Sequence, residues 1–257
     1  MTRLHFLDPN PSGKPPVLLL HGLGADSTSW TLQLPALIRA GFRPLAPDAP
    51  GFGASPYDGR GWNIRRVAGQ MAGWLEELGS GPAHIVGLSM GGVIAQQFAL
   101  DFPQLTKKLV LVSTFPVLRP ESSSSWVYFL RRAVSVLTLG LKAQAQVVAE
   151  RLFPDPNDRE LREMFIAIVL RADPRAYHLA MVALGLFNSC KRLSEIKAPT
   201  LVVTGADDST VSPARQQMLA QGIPGARQVV IQDAGHAVSV DQAEQFNQTV
   251  LEFLKEL

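Results

Sequence analysis

Ser89, His236 and the adjacent pair Asp207 and Asp208 are the residues of this 257-residue chain whose types and settings suit joint chemistry. Ser89 stands in Ile85-Val86-Gly87-Leu88-Ser89-Met90-Gly91-Gly92, an apolar run that breaks at the serine. Val93, Ile94, Phe98 and Leu100 follow at helical spacing. A strand that turns straight into a helix strains the turn residue, and the strain is tolerated when residues two positions away on each side lack side chains. Gly87 and Gly91 meet that demand. The turn would lift the serine oxygen clear of the sheet and leave the Met90 amide at a helix N-terminus, where free N–H groups and the helix dipole favour negative charge. The expected chemistry is nucleophilic attack by Ser89, with Met90 N–H as half of an oxyanion hole. A G-x-S-x-G string also occurs in turns that do no chemistry, so the assignment depends on finding its partners.

Those partners follow in the chain. An acidic loop, Ala206-Asp207-Asp208-Ser209-Thr210-Val211, comes after Gly205, and Asp233-Ala234-Gly235-His236 comes after the apolar run 228–231. A serine hydroxyl is a weak nucleophile until a base takes its proton, and a neutral imidazole does this near pH 7. A carboxylate would fix the imidazole tautomer and stabilise the imidazolium as it forms. Asp207 and Asp208 both suit that role, and spacing alone does not separate them. The second oxyanion donor is expected at Leu23 N–H, in His21-Gly22-Leu23-Gly24, where glycines allow close backbone approach. His21 reads as a residue that holds this loop by hydrogen bonds. Asp48, opening the Pro- and Gly-rich loop 48–55, reads as structural.

The elements that must carry these groups alternate. Strands are expected at Leu4–Leu7, Val17–Leu20, around Leu45–Pro47, at Ile85–Val86, Lys108–Ser113, Thr200–Thr204 and Gln228–Ile231. Helical apolar faces are read at Trp30, Leu32, Leu34, Leu37 and Ile38, at Ile64, Val67, Met71, Trp74, Leu75 and Leu78, and at Phe246, Val250, Phe253 and Leu254. This rhythm predicts an α/β fold with a mostly parallel sheet flanked by helices. From Phe115 to about Ser194 it stops. A serine tract (122–125) is followed by helical stripes at Val127, Leu130, Val134 and Leu137 and at Leu161, Phe165, Ile168 and Val169, with Leu179, Val182, Leu184 and Phe187 beyond. The expected organisation is a core of residues 1–115 and 195–257 with a helical cap, 116–194, inserted over the carboxyl ends of the strands. Arg131, Arg132, Arg171, Arg175 and His178 of this cap are candidates for an anionic substrate group, and none stands out.

Charge is nearly balanced, with 24 Lys and Arg against 22 Asp and Glu, and no dense basic run is present. Nucleic acid and anionic membrane surfaces are therefore not expected partners. No apolar run approaches bilayer length and the first residues are polar, so a soluble, cytoplasmic protein without membrane insertion is expected. Cys190 is the only cysteine and reads as a small core or interface residue. No HExxH, Cys/His cluster or lysine-bearing phosphate loop occurs, so neither metal nor cofactor is expected. A homo-oligomer is left open.

Taken together, His21-Gly22-Leu23-Gly24, the loop 48–55, Gly87 to Gly92, Gly205 to Val211 and Gly235-His236 resemble the α/β-hydrolase superfamily over essentially the whole chain. The resemblance implies the α/β-hydrolase fold. Its G-x-x-D-x-x-V pattern places the acid on Asp208, giving a Ser89–His236–Asp208 triad with the Leu23 and Met90 amides as oxyanion hole. In length and cap the chain resembles small bacterial carboxylesterases, enol-lactonases, C–C bond hydrolases and cofactor-free perhydrolases, which share that triad. Members similar to haloalkane dehalogenases and epoxide hydrolases carry aspartate at the elbow, so Ser89 argues against those reactions. Leu88 stands where histidine or tryptophan is often found, a change expected to affect packing. The implied function is hydrolysis of a small to medium carboxylic ester through an acyl-enzyme. Lactone hydrolysis, C–C bond hydrolysis and perhydrolysis are the alternatives within the class; a ligand receptor or a docking protein that kept the fold are those outside it.

Overall fold

The computed structural model describes residues 4–118, 127 and 140–256. Its strands are β1 (Phe6–Leu7), β2 (Pro16–Leu20), β3 (Arg43–Pro47), β4 (Ala83–Leu88), β5 (Thr106–Val112), β6 (Thr200–Gly205) and β7 (Arg227–Ile231). They form one sheet in the order β1-β3-β2-β4-β5-β6-β7, antiparallel only between β1 and β3. Its helices are α1 (Leu34–Arg39), α2 (Ile64–Glu77), α3 (Met90–Asp101), α4 (Gly140–Leu152), α5 (Arg159–Val169), α6 (Pro174–Leu186), α7 (Pro213–Gly222), α8 (Val238–Asp241) and α9 (Ala243–Lys255). No helix among the described residues is long and apolar enough to cross a membrane.

β2 and the inner stretches of β4, β5 and β6 are largely apolar because both faces of the sheet are covered there. Leu18, Leu20, Ile85, Leu109 and Leu111 join one buried cluster with the apolar faces of α2 and α3. Their alternates, Val17, Leu19, Val86, Val110 and Val112, join a second with Trp30 and the buried face of α9. The period of two along each strand decides which face a side chain takes. α2 begins where Asn63 accepts a hydrogen bond from Arg66 N, and it buries Ile64, Val67, Met71, Trp74 and Leu75 as its spacing predicts. Register aligns Leu20 with Gly87, Leu88 with Val112, Val112 with Val203, and Gly205 with Ile231. The loops that leave β2, β4, β6 and β7 therefore emerge along one edge of the sheet.

Some expectations need correction. β1 is two residues rather than four. The first helical face is divided: Trp30 ends a 3-10 turn, Leu32 is exposed, and α1 starts only at Leu34, where Pro35 suits the first turn. In the stretch between β5 and β6, α4 has no counterpart among the helical stripes read from the sequence, because its buried face is built from Leu141, Gln144, Ala145 and Ala149 and has little apolar contrast. Val169, Leu184 and Phe187 are buried, whereas Leu179 is partly and Val182 more fully exposed. Val127 is exposed, and the remaining residues of its stripe, Leu130, Val134 and Leu137, lie outside the described residues, as do the serine tract, Arg131 and Arg132. Cys190 carries a free thiol and is half-buried.

Candidate active site

The turn from β4 to α3 has the strained geometry its glycines imply. Ser89 sits at φ 52° and ψ −111°. A Cβ on Gly87 would lie 2.3 Å from the Gly91 carbonyl oxygen, and one on Gly91 would lie 2.0 Å from the Leu20 carbonyl oxygen. Both positions therefore require glycine for close backbone approach, quite apart from the dihedrals of Ser89. The turn is pinned by Ser89 N–H donating to Val112 O at 2.9 Å and by Thr114 Oγ1 donating to Ser89 O at 2.7 Å. Thr114, buried one residue past the β5 bend, gave no sequence signal for this role.

The acid loop is equally constrained. A Cβ on Gly205 would lie 2.1 Å from the Gly235 carbonyl oxygen, so the end of β6 packs directly against the loop carrying His236. Four donors converge on the buried Asp208 carboxylate. Thr210 N–H and Val211 N–H reach Oδ1, both at 2.8 Å, while Gln216 Nε2 at 3.0 Å and His236 Nδ1 at 2.9 Å reach Oδ2. Asp207, its neighbour, is exposed. Burial thus resolves the choice of histidine partner that spacing left open. Gln216 was missed; it is a wholly buried amide on the first turns of α7, the kind of residue that must find polar partners.

His236, bound through Nδ1, lines the same cavity as Ser89. Among the described residues the Ser89 hydroxyl makes no hydrogen bond to His236; such catalytic contacts often tighten only in the substrate complex. The cavity is about 500 Å³ and is walled mainly by apolar side chains, several from the segment between β5 and β6. Leu23 lines it from the loop after β2, and Met90 occupies the first position of α3. Neither amide donates to a backbone carbonyl among the described residues.

The groups read as structural behave so. His21 receives Ala49 N–H at Nε2, 2.9 Å, and donates from Nδ1 to Gly22 O, 2.8 Å. Burial lowers its pKa, which keeps the neutral tautomer that this pattern needs. Asp48 accepts from Ser27 N–H and Ala54 N–H at 2.7 and 2.8 Å. Burial raises its pKa but these hydrogen bonds outweigh that, and the net shift is downward. Among the candidate anion-binding groups, Arg171 pairs with Asp26 at 2.6 Å and Arg175 with Asp173 at 3.0 Å. Of the described candidates only His178 lines the cavity, where it is joined by Arg151, which the sequence did not single out. Among the described residues no three His, Cys, Asp or Glu side chains gather as a metal site.

A largely parallel sheet carrying a glycine-flanked serine elbow, with an Asp–His pair on two later strand ends, defines an α/β hydrolase. The chain belongs to the alpha/beta hydrolase fold family, whose sequence model matches residues 15–243. It is 33% identical to the 2-hydroxy-6-oxononadienedioate/2-hydroxy-6-oxononatrienedioate hydrolase of Burkholderia vietnamiensis, over 98% of this chain and 91% of that one. Among solved structures it is similar to the enol-lactonase of Burkholderia xenovorans, with a TM-score of 0.88 and 30% identity over 98% of this chain and 96% of that one. It is also similar to a thermophilic esterase of Thermogutta terrifontis, with a TM-score of 0.85 and 31% identity over 98% and 93% of the two chains.

Proposed function

We propose that this hydrolase cleaves a carboxylic ester of small to medium acyl length through an acyl-enzyme on Ser89. The observation that carries the reading is the His236 Nδ1–Asp208 Oδ2 hydrogen bond of 2.9 Å in a wall of the cavity that Ser89 also faces. In the first step Ser89 Oγ attacks the carbonyl carbon and its proton passes to His236 Nε2, while Asp208 holds the ring and stabilises the imidazolium. The tetrahedral oxyanion accepts hydrogen bonds from the Leu23 and Met90 amides. Collapse breaks the bond to the leaving alkoxide, which takes the proton from His236 and departs as the alcohol. A water molecule then attacks the acyl-enzyme, giving its proton to His236, and collapse returns that proton to Ser89 as the carboxylic acid leaves. Two fixed N–H donors in a water-poor pocket favour the charge that develops only in the transition state. The helical segment between β5 and β6 acts as the cap of this pocket, since it supplies much of the apolar wall.

A second reading is hydrolysis of a lactone or an activated C–C bond by the same groups, supported by the similarity to the Burkholderia hydrolase and enol-lactonase. The test is turnover of p-nitrophenyl esters from two to twelve acyl carbons, with Ser89→Ala alongside. Turnover that peaks at short or medium chains and disappears in Ser89→Ala is expected. Silence on every ester, with turnover of a lactone or a vinylogous diketone, would replace the first reading by the second.

A further inference from the structure

The loop that carries Leu23 leans on the segment between β5 and β6. Gly24, the next residue, has φ 79°, and a Cβ there would lie 2.8 Å from Val169 Cγ2 and 3.2 Å from Tyr177 Cε2. The end of α5 and the first turn of α6 therefore back directly onto this loop. Two residues further on, the Asp26 side chain is only 2% exposed. Its Oδ1 accepts Thr28 N–H at 3.0 Å and the Thr28 hydroxyl, and its Oδ2 pairs with a guanidinium nitrogen of Arg171 at 2.6 Å. Arg171 lies in the turn between α5 and α6, with its side chain 52% exposed. That turn is itself fixed to the core, since Asp173 N–H donates to Gly51 O at 2.8 Å and a Cβ on Gly51 would lie 2.3 Å from Ala176 Cβ.

The pair is asymmetric, a buried carboxylate held by a cation that reaches it from the surface. Removing one partner of such a pair is costly because the other charge is left out of water and uncompensated. Without Arg171 the Asp26 carboxylate is relieved by swinging outward to be hydrated, and Leu23, three residues before it in the same loop, moves with it. We propose that Arg171 is a positioning residue for the oxyanion hole. By pairing with Asp26 it holds the loop after β2 in place, so that Leu23 N–H meets the oxyanion formed at Ser89. The consequence for catalysis rests on the ester-hydrolase reading, whereas the hold on the loop does not.

The test compares the native protein with Arg171→Met, Arg171→Lys and the double variant Arg171→Met with Asp26→Asn. On p-nitrophenyl butyrate, kcat is expected to fall about tenfold in Arg171→Met with KM within about twofold, because the donor is displaced rather than lost. Lys keeps a cation and should recover most of the rate. Asn at position 26 removes the charge that drives the loop outward while keeping an acceptor for Thr28, so the double variant should exceed Arg171→Met several-fold. Hydrogen exchange followed by mass spectrometry reads the loop itself. Amides of residues 22–30 should exchange at least about fivefold faster in Arg171→Met than in the native protein, with those of 205–212 unchanged. Unaltered exchange in 22–30 overturns the proposal, as does a loss of rate that falls on KM or that neither Arg171→Lys nor the double variant recovers. If the native protein turns over no p-nitrophenyl ester, ester hydrolysis fails separately and exchange decides the hold on the loop: acceleration confined to 22–30 upholds it, and its absence overturns it.

Discussion

Asp208 is held by four hydrogen bonds, and each donor needs an acceptor at its end. Asn at this position brings an NH2 group that cannot face all four, and it loses the acceptor that fixes the His236 tautomer. Asp208→Asn is expected to lower kcat by about a thousandfold to ten-thousandfold with little change in KM, measured by steady-state ester hydrolysis. Asp207→Asn, at the exposed neighbour, should stay within about twofold, a contrast that checks the assignment against general damage to the loop. The serine and the histidine were legible because glycine spacing and strand ends carry a strong local signal. The choice between two adjacent aspartates was not legible from spacing, since it depends on which carboxylate turns inward, and only the family pattern pointed to Asp208. Thr114 and Arg151 were silent because their partners lie far away in sequence, and Gln216, only eight residues from Asp208, because nothing in its spacing says that its amide turns inward.

At the scale of elements, close backbone approaches hold the loops in place. Gly205→Ala would drive a methyl group to 2.1 Å from the Gly235 carbonyl oxygen, displacing the end of β6 from the His236 loop. A displacement of about 1 Å can cost on the order of a hundredfold in rate, so kcat is expected to fall by that amount while much of the fold survives, as checked by circular dichroism beside kinetics. Gly91→Ala meets the Leu20 carbonyl at 2.0 Å in the middle of the sheet and should instead lower the thermal midpoint markedly, seen by calorimetry. Central strands and the faces of α2 and α9 were readable because burial on a sheet demands apolar runs or a helical stripe. α4 was not, since small residues and a buried glutamine provide its inner face. α1 was overextended because Leu32 shares the composition of a core residue without its burial.

For the whole molecule, β4 brings a titration liability into the core along with the elbow. His84 is buried on this strand, edge-on to Phe42 at 5.8 Å, with Nδ1 unpartnered. Burial, with help from Lys107 and Lys108, lowers its pKa from 6.5 to about 4. The unfolded chain therefore binds this proton first as pH falls, and stability declines from about pH 6.5 down to about pH 4. Between pH 7 and pH 5 the loss is expected to be about 2 kcal/mol, and urea titrations of His84→Phe should show a correspondingly flatter pH profile. Nucleophilic attack by Ser89 is tested by reacting the protein with a p-nitrophenyl alkylphosphonate and locating the adduct by mass spectrometry. One phosphonyl group on Ser89, formed in step with loss of ester turnover and absent from Ser89→Ala, is the predicted result. Full turnover after labelling, or an adduct on another residue that tracks the loss of activity, would contradict it.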